Sequence, residues 1–291
     1  MKPIIALTVS LLASTGQAIA EQNASTIYQT GSGNTAVSDQ TAYGTYGAQI
    51  HQTQIGEINH TFALQQSESG SHIHQVQEGA MNDAYSLQSG GQQNQISIIQ
   101  TGYTNDADIV QLQTQYSEAR IQQHDYNNKA DIYQVGGYGN IAVIEQYGSV
   151  HDAHIGQYAS VDSDAYIRQS GNYNTARILQ GGFEQFADIT QDGVGNKALI
   201  EQGGFQNDAL IYQSGHGNDA YILQTSWHNY AAINQHGYHN RADILQYGTG
   251  GHSAVINQHG GMNKALITQT GISQTAIISQ TGTGNKATVS Q

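Results

Sequence analysis

The chain has 291 residues, with 22 Asp or Glu, 9 Lys or Arg and no Cys, so its formal net charge is −13. Without cysteine there are neither disulfides nor thiolate metal ligands, and an acidic chain with few cations is a poor nucleic-acid binder. Gln (39) and Asn (20) form about a fifth of the residues, a composition typical of chains that are disordered or that stack into β-structure.

The N-terminal segment predicts a secretory signal peptide. Lys2 gives it a positive start, the stretch 4–12 is mostly apolar, and a small-x-small cleavage site ends at Ala20. The apolar stretch is too short to span a bilayer. The alternative is a buried N-terminal helix. We therefore expect a signal peptide over 1–20 and a single repeat domain over 21–291, with no membrane span.

The remainder of the chain is one repeat of 11 or 12 residues. Ala187-Asp-Ile-Thr-Gln191 is followed by Ala198-Leu-Ile-Glu-Gln202 and by Ala209-Leu-Ile-Tyr-Gln213. Traced in both directions, the pattern A-x-I-x-Q-x-G-x-x-N-x gives 24 copies, and its Gln position is Gln in every copy from Gln29 to Gln291. The first copies are the loosest, because polar residues replace Ile in several of them.

This periodicity predicts strands. Asn, Ala, Ile and Gln fall at every second residue, which places them on one face of a β-strand, and x-G-x-x-N then supplies a tight turn. We expect strands of about five to six residues. A single short strand cannot bury a face, whereas stacked repeats can. The predicted fold is therefore all-β, a parallel β-solenoid of about 12 two-strand coils with amyloid-like cross-β stacking.

The recurring amides predict hydrogen-bonded ladders. A buried, unpaired amide costs about 1–3 kcal/mol, and in a register-locked stack each amide can donate to one neighbour and accept from the other. For Asn a second interpretation stays open, in which it supplies only turn geometry. The predicted ladder residues of the central copies are Gln169, Gln180, Gln191, Gln202, Gln213, Gln224, Gln235, Gln246, Asn174, Asn196, Asn207, Asn218, Asn229 and Asn240.

The Ile column predicts a narrow core, and the first and last copies predict exposed edges. Terminal strands of a stack expose a row of unpaired N–H and C=O groups unless something covers them. The expected core residues are Ile167, Ile178, Ile189, Ile200, Ile211, Ile222, Ile233 and Ile244. The expected growth edges are Ser25, Ile27 and Gln29 at one end and Ala287, Val289 and Gln291 at the other.

The repeat resembles that of a known family. Gln191-Asp-Gly-Val-Gly-Asn196-Lys-Ala198 is similar to the curlin repeat of bacterial curli, and the similarity extends over nearly all of the chain after the signal peptide. The resemblance implies a secreted subunit of an extracellular functional amyloid of Gram-negative biofilms, exported through an outer-membrane pore. It also implies a partner nucleator subunit. The Ala-x-Ile-x-Gln strand is itself closer to nucleator-type subunits than to major ones.

Three chemical interpretations are disfavoured, and no cofactor is expected. The string G-x-G-N-x-A superficially matches a dinucleotide fingerprint, but it recurs five times between short strands, which identifies it as the repeat turn. His236 and His259, expected at equivalent turn positions, make a weak metal site without a carboxylate. A β-helix enzyme needs convergent carboxylates, whereas Asp108, Asp131, Asp188 and Asp243 are scattered. Asp108 and Asp131 share a column, where charge repulsion is the expected role.

Two classes of function remain. One is a fibre subunit that assembles with itself, and the other is a monomeric solenoid adhesin that binds ice or glycan through a flat face. A flat ligand face requires an invariant outward column, but the outward positions vary freely. Since the regularity lies inside, the sequence favours the self-assembling structural protein over the adhesin and over an enzyme.

Overall fold

The computed structural model describes residues 23–41 and 43–291. The predicted signal peptide, residues 1–20, lies outside this part of the chain. The described residues form 24 strands in two sheets of 12. Sheet A contains β1 (Ala24–Ser32), β3 (Gln49–Glu57), β5 (His72–Ala80), β7 (Gln95–Tyr103), β9 (Glu118–Tyr126), β11 (Ile141–Ser149), β13 (Asp164–Asn172), β15 (Phe186–Val194), β17 (Asp208–His216), β19 (Tyr230–Tyr238), β21 (Ser253–Gly261) and β23 (Thr275–Thr283). Sheet B contains β2 (Thr35–Asp39), β4 (His60–Gln66), β6 (Asp83–Ser89), β8 (Asp106–Gln115), β10 (Lys129–Tyr138), β12 (Asp152–Val161), β14 (Thr175–Phe183), β16 (Lys197–Phe205), β18 (Asp219–Gln224), β20 (Arg241–Gln246), β22 (Lys264–Gln269) and β24 (Lys286–Ser290).

The chain alternates between the two sheets, so that each pair of consecutive strands makes one coil. Every strand pairs in parallel with the equivalent strand of each adjacent coil, so the strands of the first and last coils have one neighbour each. The register keeps equivalent repeat positions together, as in the column Ile189, Ile211 and Ile233. Twelve coils at a strand spacing of about 4.8 Å give a column roughly 58 Å tall. The predicted parallel β-solenoid is confirmed.

The strands of sheet A are longer than the sequence predicted. They are nine residues long rather than five to six, because pairing continues beyond the inward Gln. Gly193 pairs with Gly215, and Gly215 pairs with Gly237, although these glycines have φ values between 106° and 125°. Only a residue without a Cβ readily adopts that backbone. The turn glycines are therefore part of the sheet.

The interior consists of two facing rows of Ala and Ile. From Ile98 to Ile267 every Ile of the repeat column is at most 1% exposed, and the Ala residues beside them are buried as well. All the predicted core isoleucines, Ile167 to Ile244, lie in this single hydrophobic cluster. Because the cluster runs through consecutive coils, each coil is stabilised mainly by its two neighbours.

The first three coils have a more polar core, although Ile50 and Ile73 still belong to the hydrophobic cluster. Gln52 and Gln75 stand in the Ile column of sheet A, where Gln52 Nε2 donates to Gln75 Oε1 at 2.8 Å. Gln75 in turn donates to Ser86 Oγ at 2.8 Å. Thr61 Oγ1 and Gln52 Oε1 are buried, and no described residue bonds to them. Each such unpaired atom costs about 1–3 kcal/mol, and the Ile-filled coils also contain a few, for example Thr114 Oγ1 and Ser160 Oγ.

The described residues contain strands and turns, and none of their segments is a helix that is both long and apolar enough to cross a membrane.

Candidate functional site

Two glutamine columns run the length of the solenoid, one inside each sheet. In sheet A, Gln191 Nε2 donates to Gln213 Oε1 at 2.8 Å, and Gln213 donates to Gln235 at 2.8 Å. The same bond joins each glutamine to the next from Gln29 to Gln280 and, in sheet B, from Gln40 to Gln291. Of the predicted ladder glutamines, sheet A holds Gln169, Gln191, Gln213 and Gln235, and sheet B holds Gln180, Gln202, Gln224 and Gln246.

The second N–H of each amide ties the two sheets together. Gln213 Nε2 also donates to the backbone oxygen of Lys197 at 2.8 Å, and Gln202 Nε2 donates to that of Phe186 at 2.9 Å. Both amide hydrogens of Gln213 are therefore used at a position that is fully buried. Replacing Gln213 leaves three partners unpaired in a dry interior, since Gln213 also accepts from Gln191. Each such glutamine therefore fixes the register along the stack and across it.

The asparagines bond mainly to backbone. Asn196 Oδ1 accepts from the backbone N–H of Asn218 at 3.0 Å, and Asn196 Nδ2 donates to Gly215 O at 3.2 Å. Direct amide–amide bonds also occur, as from Asn240 Nδ2 to Asn218 Oδ1 at 3.1 Å. The ladder interpretation and the turn interpretation of the Asn column thus each describe part of the geometry. The Asn side chain links successive coils, and it also donates to the carbonyl groups of the turn. One corner holds Asn174, Asn196, Asn218 and Asn240, and the other holds Asn207 and Asn229.

Two histidines replace asparagine in these corner columns, which the sequence analysis did not predict. His151 Nδ1 accepts from the backbone N–H of Asn174 at 3.3 Å, while its Nε2 lies 3.1 Å from Tyr147 O. An accepting Nδ1 requires a neutral ring with the proton on Nε2, and burial lowers the pKa of His151 accordingly. His252 makes the equivalent contact to Gln274 N. The sequence feature that could have identified both histidines is their position, since each stands two residues before the Ala of a repeat.

The outer edges of the first and last coils carry backbone N–H groups that no described residue accepts. Gln291 N donates inward to Thr268 O of β22 at 3.0 Å. Neighbouring residues of a strand direct their N–H groups to opposite sides, so the N–H of Thr288 faces the outer edge of β24. Lys264 in β22 shows the bond that such a group makes, since its N–H donates to Asn285 O of the next coil at 2.8 Å. Within the described residues no strand pairs with that outer edge.

The side chains at the two ends are complementary in direction. Each ladder glutamine donates toward the next coil, so Gln280 at the last coil offers an Nε2 donor, whereas Gln29 at the first coil offers an Oε1 to which no described residue donates. Asp39 is the only acidic or basic residue in 23–41, and Lys286 is the only one in 275–291. The first coil thus carries one acidic residue and the last coil one basic residue, so the two ends present no like charges. The predicted edge residues Ser25, Ile27, Ala287 and Val289 are partly exposed, unlike their equivalents in central coils.

An acidic column lies on the outer face of sheet B. Asp108 pairs in register with Asp131, as the sequence predicted, and burial together with Asp106 and Asp131 raises the pKa of Asp108 from 3.8 to about 6. Asp83 acts in the same direction, whereas Lys129, with Nζ 3.6 Å from Asp131 Oδ2, opposes the shift. The folded chain therefore holds a proton on Asp108 more tightly than the unfolded chain does. The contribution of Asp108 to the free energy of unfolding therefore falls as the pH rises from about 4 to about 6. Above that range Asp108 is ionised in both states, and its whole destabilising effect is present.

We expect Asp108→Asn to stabilise the chain near pH 7 by about 1 kcal/mol, less than the full pKa shift implies because the carboxylate is partly solvated. Its assembly lag should be shorter at pH 7 and should depend less on pH between 4 and 7. The measurement is Thioflavin fluorescence across this range. Asp188→Asn is the control, because Asp188 is paired with Arg168 at 3.1 Å. An equal effect of the two variants would mean that net charge alone sets the lag.

The histidine pair lies on strands rather than in turns, contrary to the sequence prediction, because sheet A strands extend past the inward Gln. The rings of His236 in β19 and His259 in β21 stack with centroids 4.9 Å apart and planes 9° apart. Ser214 Oγ lies 2.6 Å from His236 Nδ1. Among the described residues no group of three or more His, Asp or Glu side chains is arranged to hold a metal ion. The remaining acids are not convergent, since Asp188 pairs with Arg168 on sheet A and Asp243 with Arg241 on sheet B.

These features define a repeat solenoid whose regular residues lie inside and bond from one coil to the next. The model of the curlin associated repeat matches residues 127–158, 162–193, 184–211, 193–225, 229–260 and 263–291, together more than half of the chain. The chain belongs to the curlin family. The matched segments begin after the coils with the polar core, in the part where the Ile column is unbroken. No individual curated protein matches the chain.

Proposed function

We propose that the chain is a secreted structural subunit that assembles with itself, end to end, into extracellular fibres of the curli type. The observation that supports this most is the match between the outer edges of the first and the last coil. Both glutamine ladders run in one direction through every coil, and the last coil offers donors where the first coil offers acceptors. Stacking the first coil of one copy on the last coil of another continues both ladders.

Such a contact is heterologous, so it extends into an open filament rather than closing into a dimer. In register, Ile278 would stack on Ile27, and the N–H of Thr288 would donate to Ala36 O of the incoming copy. Membership of the curlin family supports secretion to the cell surface, export through an outer-membrane pore and a role in the biofilm matrix. It also supports a non-catalytic function without a cofactor.

A nucleator-type role within the same fibre system is the second candidate. It is favoured by the Ala that fills the first inward position of nearly all strands, from Ala107 to Ala287. A nucleator would accelerate fibre formation by a major curli subunit when added at a small fraction of its concentration. A major subunit would instead account for most of the fibre mass.

The end-to-end contact is tested by Thr288→Pro. Proline removes the edge-facing N–H and leaves Ala36 O of the incoming copy unpaired, which costs about 1–3 kcal/mol. We expect seeded elongation to slow about tenfold or more, while the inward ladder of β24 remains. Elongation is followed by Thioflavin fluorescence at a fixed mass of wild-type seeds.

Thr288→Val is the matched control, since it keeps the N–H and the β-branched shape, and its elongation should stay near the wild-type rate. Elongation of the proline variant at the wild-type rate would show that β24 is not a growth edge. A wild-type chain that stays monomeric, or fibres without a reflection near 4.7–4.8 Å, would contradict the proposed function itself.

A further inference from the structure

An exposed apolar column follows one corner of the solenoid, where sheet B turns back to sheet A. Tyr138, Val161, Phe183 and Phe205 are successive partners at the ends of their strands, and Trp227 bridges to Phe205 in the next coil. The chain has four Phe and one Trp in total, so two of the Phe and the single Trp stand on three consecutive coils. We call this column, which ends at Ile272 two coils beyond Trp227, the corner ridge.

The ridge stands clear of its surroundings. Phe205 is 41% exposed and Trp227 is 53% exposed. The rings of Phe183 and Phe205 lie with centroids 5.7 Å apart, which makes the column continuous. The residue before each ridge position is small, for example Gly182, Gly204 and Ser226. On that side of the rings a partner surface therefore meets only small side chains.

A glycine in the next coil lets the indole lie across the corner. A Cβ on Gly250 would stand 2.3 Å from Trp227 Cδ1 and 2.9 Å from its Nε1. The indole thus occupies the space that a side chain at position 250 would need, and it covers that coil as well as its own. The ridge consequently stays apolar between Trp227 and Ile272, although no aromatic residue comes from the coil between them.

Charge identifies the kind of partner. The chain is strongly acidic, so most pairs of faces from two copies repel each other. The residues that follow the last ridge positions are Gln206, His228, Gly251 and Ser273, and none of them is acidic. Glu184 is hydrogen-bonded to Gln206. Glu184 and Asp208 lie beside Gln206 and His228 at the Phe183–Phe205 part of the ridge. The part of the ridge from Trp227 to Ile272 is thus the surface on which two copies can meet without opposing carboxylates.

The exposed area decides between a pair of monomers and a pair of filaments. A fully buried aromatic side chain covers about 150–250 Å², and the ridge residues are about half exposed, so two facing ridges bury roughly 1,000 Å². Stable interfaces usually bury about 1,200 Å² or more, which makes one such contact marginal. In a filament the ridge recurs in every subunit, and linked weak contacts add up to a strong one.

We propose that the corner ridge is the surface through which two filaments of this chain pack side by side, ridge against ridge. The inference rests on the proposed end-to-end assembly and adds a second, lateral interface to it. Lateral pairing uses the exposed aromatic side chains, whereas elongation uses the strand edges and the inner ladders. The two steps are therefore separable by substitution.

The test compares Phe205→Ser/Trp227→Ser with a matched pair at the opposite corner, Tyr103→Ser/Tyr126→Ser. Tyr103 and Tyr126 also pair in one column, and they are 57% and 53% exposed. Mass per length is measured by scanning transmission electron microscopy on filaments grown from equal seeds. We expect the ridge variant to lose about half of the wild-type mass per length with elongation unchanged within about twofold. The control variant should keep the wild-type mass per length.

The possible outcomes separate this proposal from the proposed function. A ridge variant that remains paired, or a control variant that separates equally, overturns the ridge as the lateral interface. If the ridge variant stays paired but no longer sediments with insoluble β-glucan, the occupant is a polysaccharide and not a second copy. A wild-type chain that forms only single filaments contradicts the ridge proposal alone, whereas the absence of filaments contradicts the proposed function as well.

Discussion

Replacing Ile211 by aspartate is expected to abolish assembly. Ile211 lies between Ile189 and Ile233 in the inner column of sheet A and is 1% exposed. The substitution removes a packed aliphatic side chain, at about 2–5 kcal/mol for losses of this kind, and places a carboxylate in a dry core at a further several kcal/mol. Folded domains have only about 5–15 kcal/mol of stability. Far-UV circular dichroism and Thioflavin fluorescence should show neither strand formation nor fibres.

Tyr212→Asp is the matched control, because it introduces the same charge one residue away on the outer face. Tyr212 lies between Thr190 and Asn234 and is 46% exposed. No carboxylate adjoins it in this column, so the new charge stays solvated and the expected loss is below about 1 kcal/mol. Fibres should form with a modestly longer lag. Equal defects from the two substitutions would mean that inward and outward faces are wrongly assigned.

The architecture could be predicted from the sequence because its cause lies in the side chains. The alternation of residue types with a period of two predicts which residues face inward. The repeat of 11 or 12 residues, with Gln always in place, predicts which positions stack. A one-residue slip would expose every Ile of the repeat column and bury residues such as Asp188 and Glu201. The predicted arrangement of parallel strands in two sheets is confirmed for this reason.

The backbone details could not be predicted in the same way. The length of sheet A strands depends on glycines such as Gly215, which pair in register at a positive φ that side-chain periodicity does not report. The bonding of Asn196 to backbone depends on where turn carbonyls point. His151 performs the role of Asn through a ring nitrogen of similar reach. Only its position in the repeat, and not its residue type, pointed to that role.

The polar coils near the N-terminus were visible as loose repeats, but their energetic meaning needed coordinates. Gln52 and Gln75 bond to each other in the place of isoleucines, so the interior there is largely satisfied but less apolar. Glu68 is fully buried beside Ser71 and Asn94, and burial raises its pKa. The core is thus more polar near the N-terminus than in the later coils, and the way its polar groups are paired is not visible from repeat identity alone.

Replacing Gly215 by alanine is expected to have the second large effect, by forcing neighbouring coils apart. A Cβ at Gly215 would stand 2.0 Å from Gly237 O, and φ at Gly215 is 106°. The opposing oxygen cannot easily move, since it accepts from Asn218 Nδ2 at 3.1 Å. Overpacking costs typically 1–3 kcal/mol, and the left-handed backbone adds about 1–2 kcal/mol for a residue with a Cβ. Fibre formation should slow by two orders of magnitude or more.

Gly203→Ala supplies the control within the same repeat design. Gly203 has no positive φ, and a Cβ there would meet no heavy atom within 4 Å, so the variant should assemble like the wild type. Asp125 occupies the same corner column with φ of 74°, which shows that a residue tolerant of left-handed backbone fits when the turn adjusts. Gly215→Asn should therefore assemble faster than Gly215→Ala, because Asn adopts that region at lower cost. Lag times that rank the three variants in any other order would show that the corner does not limit how closely the coils approach.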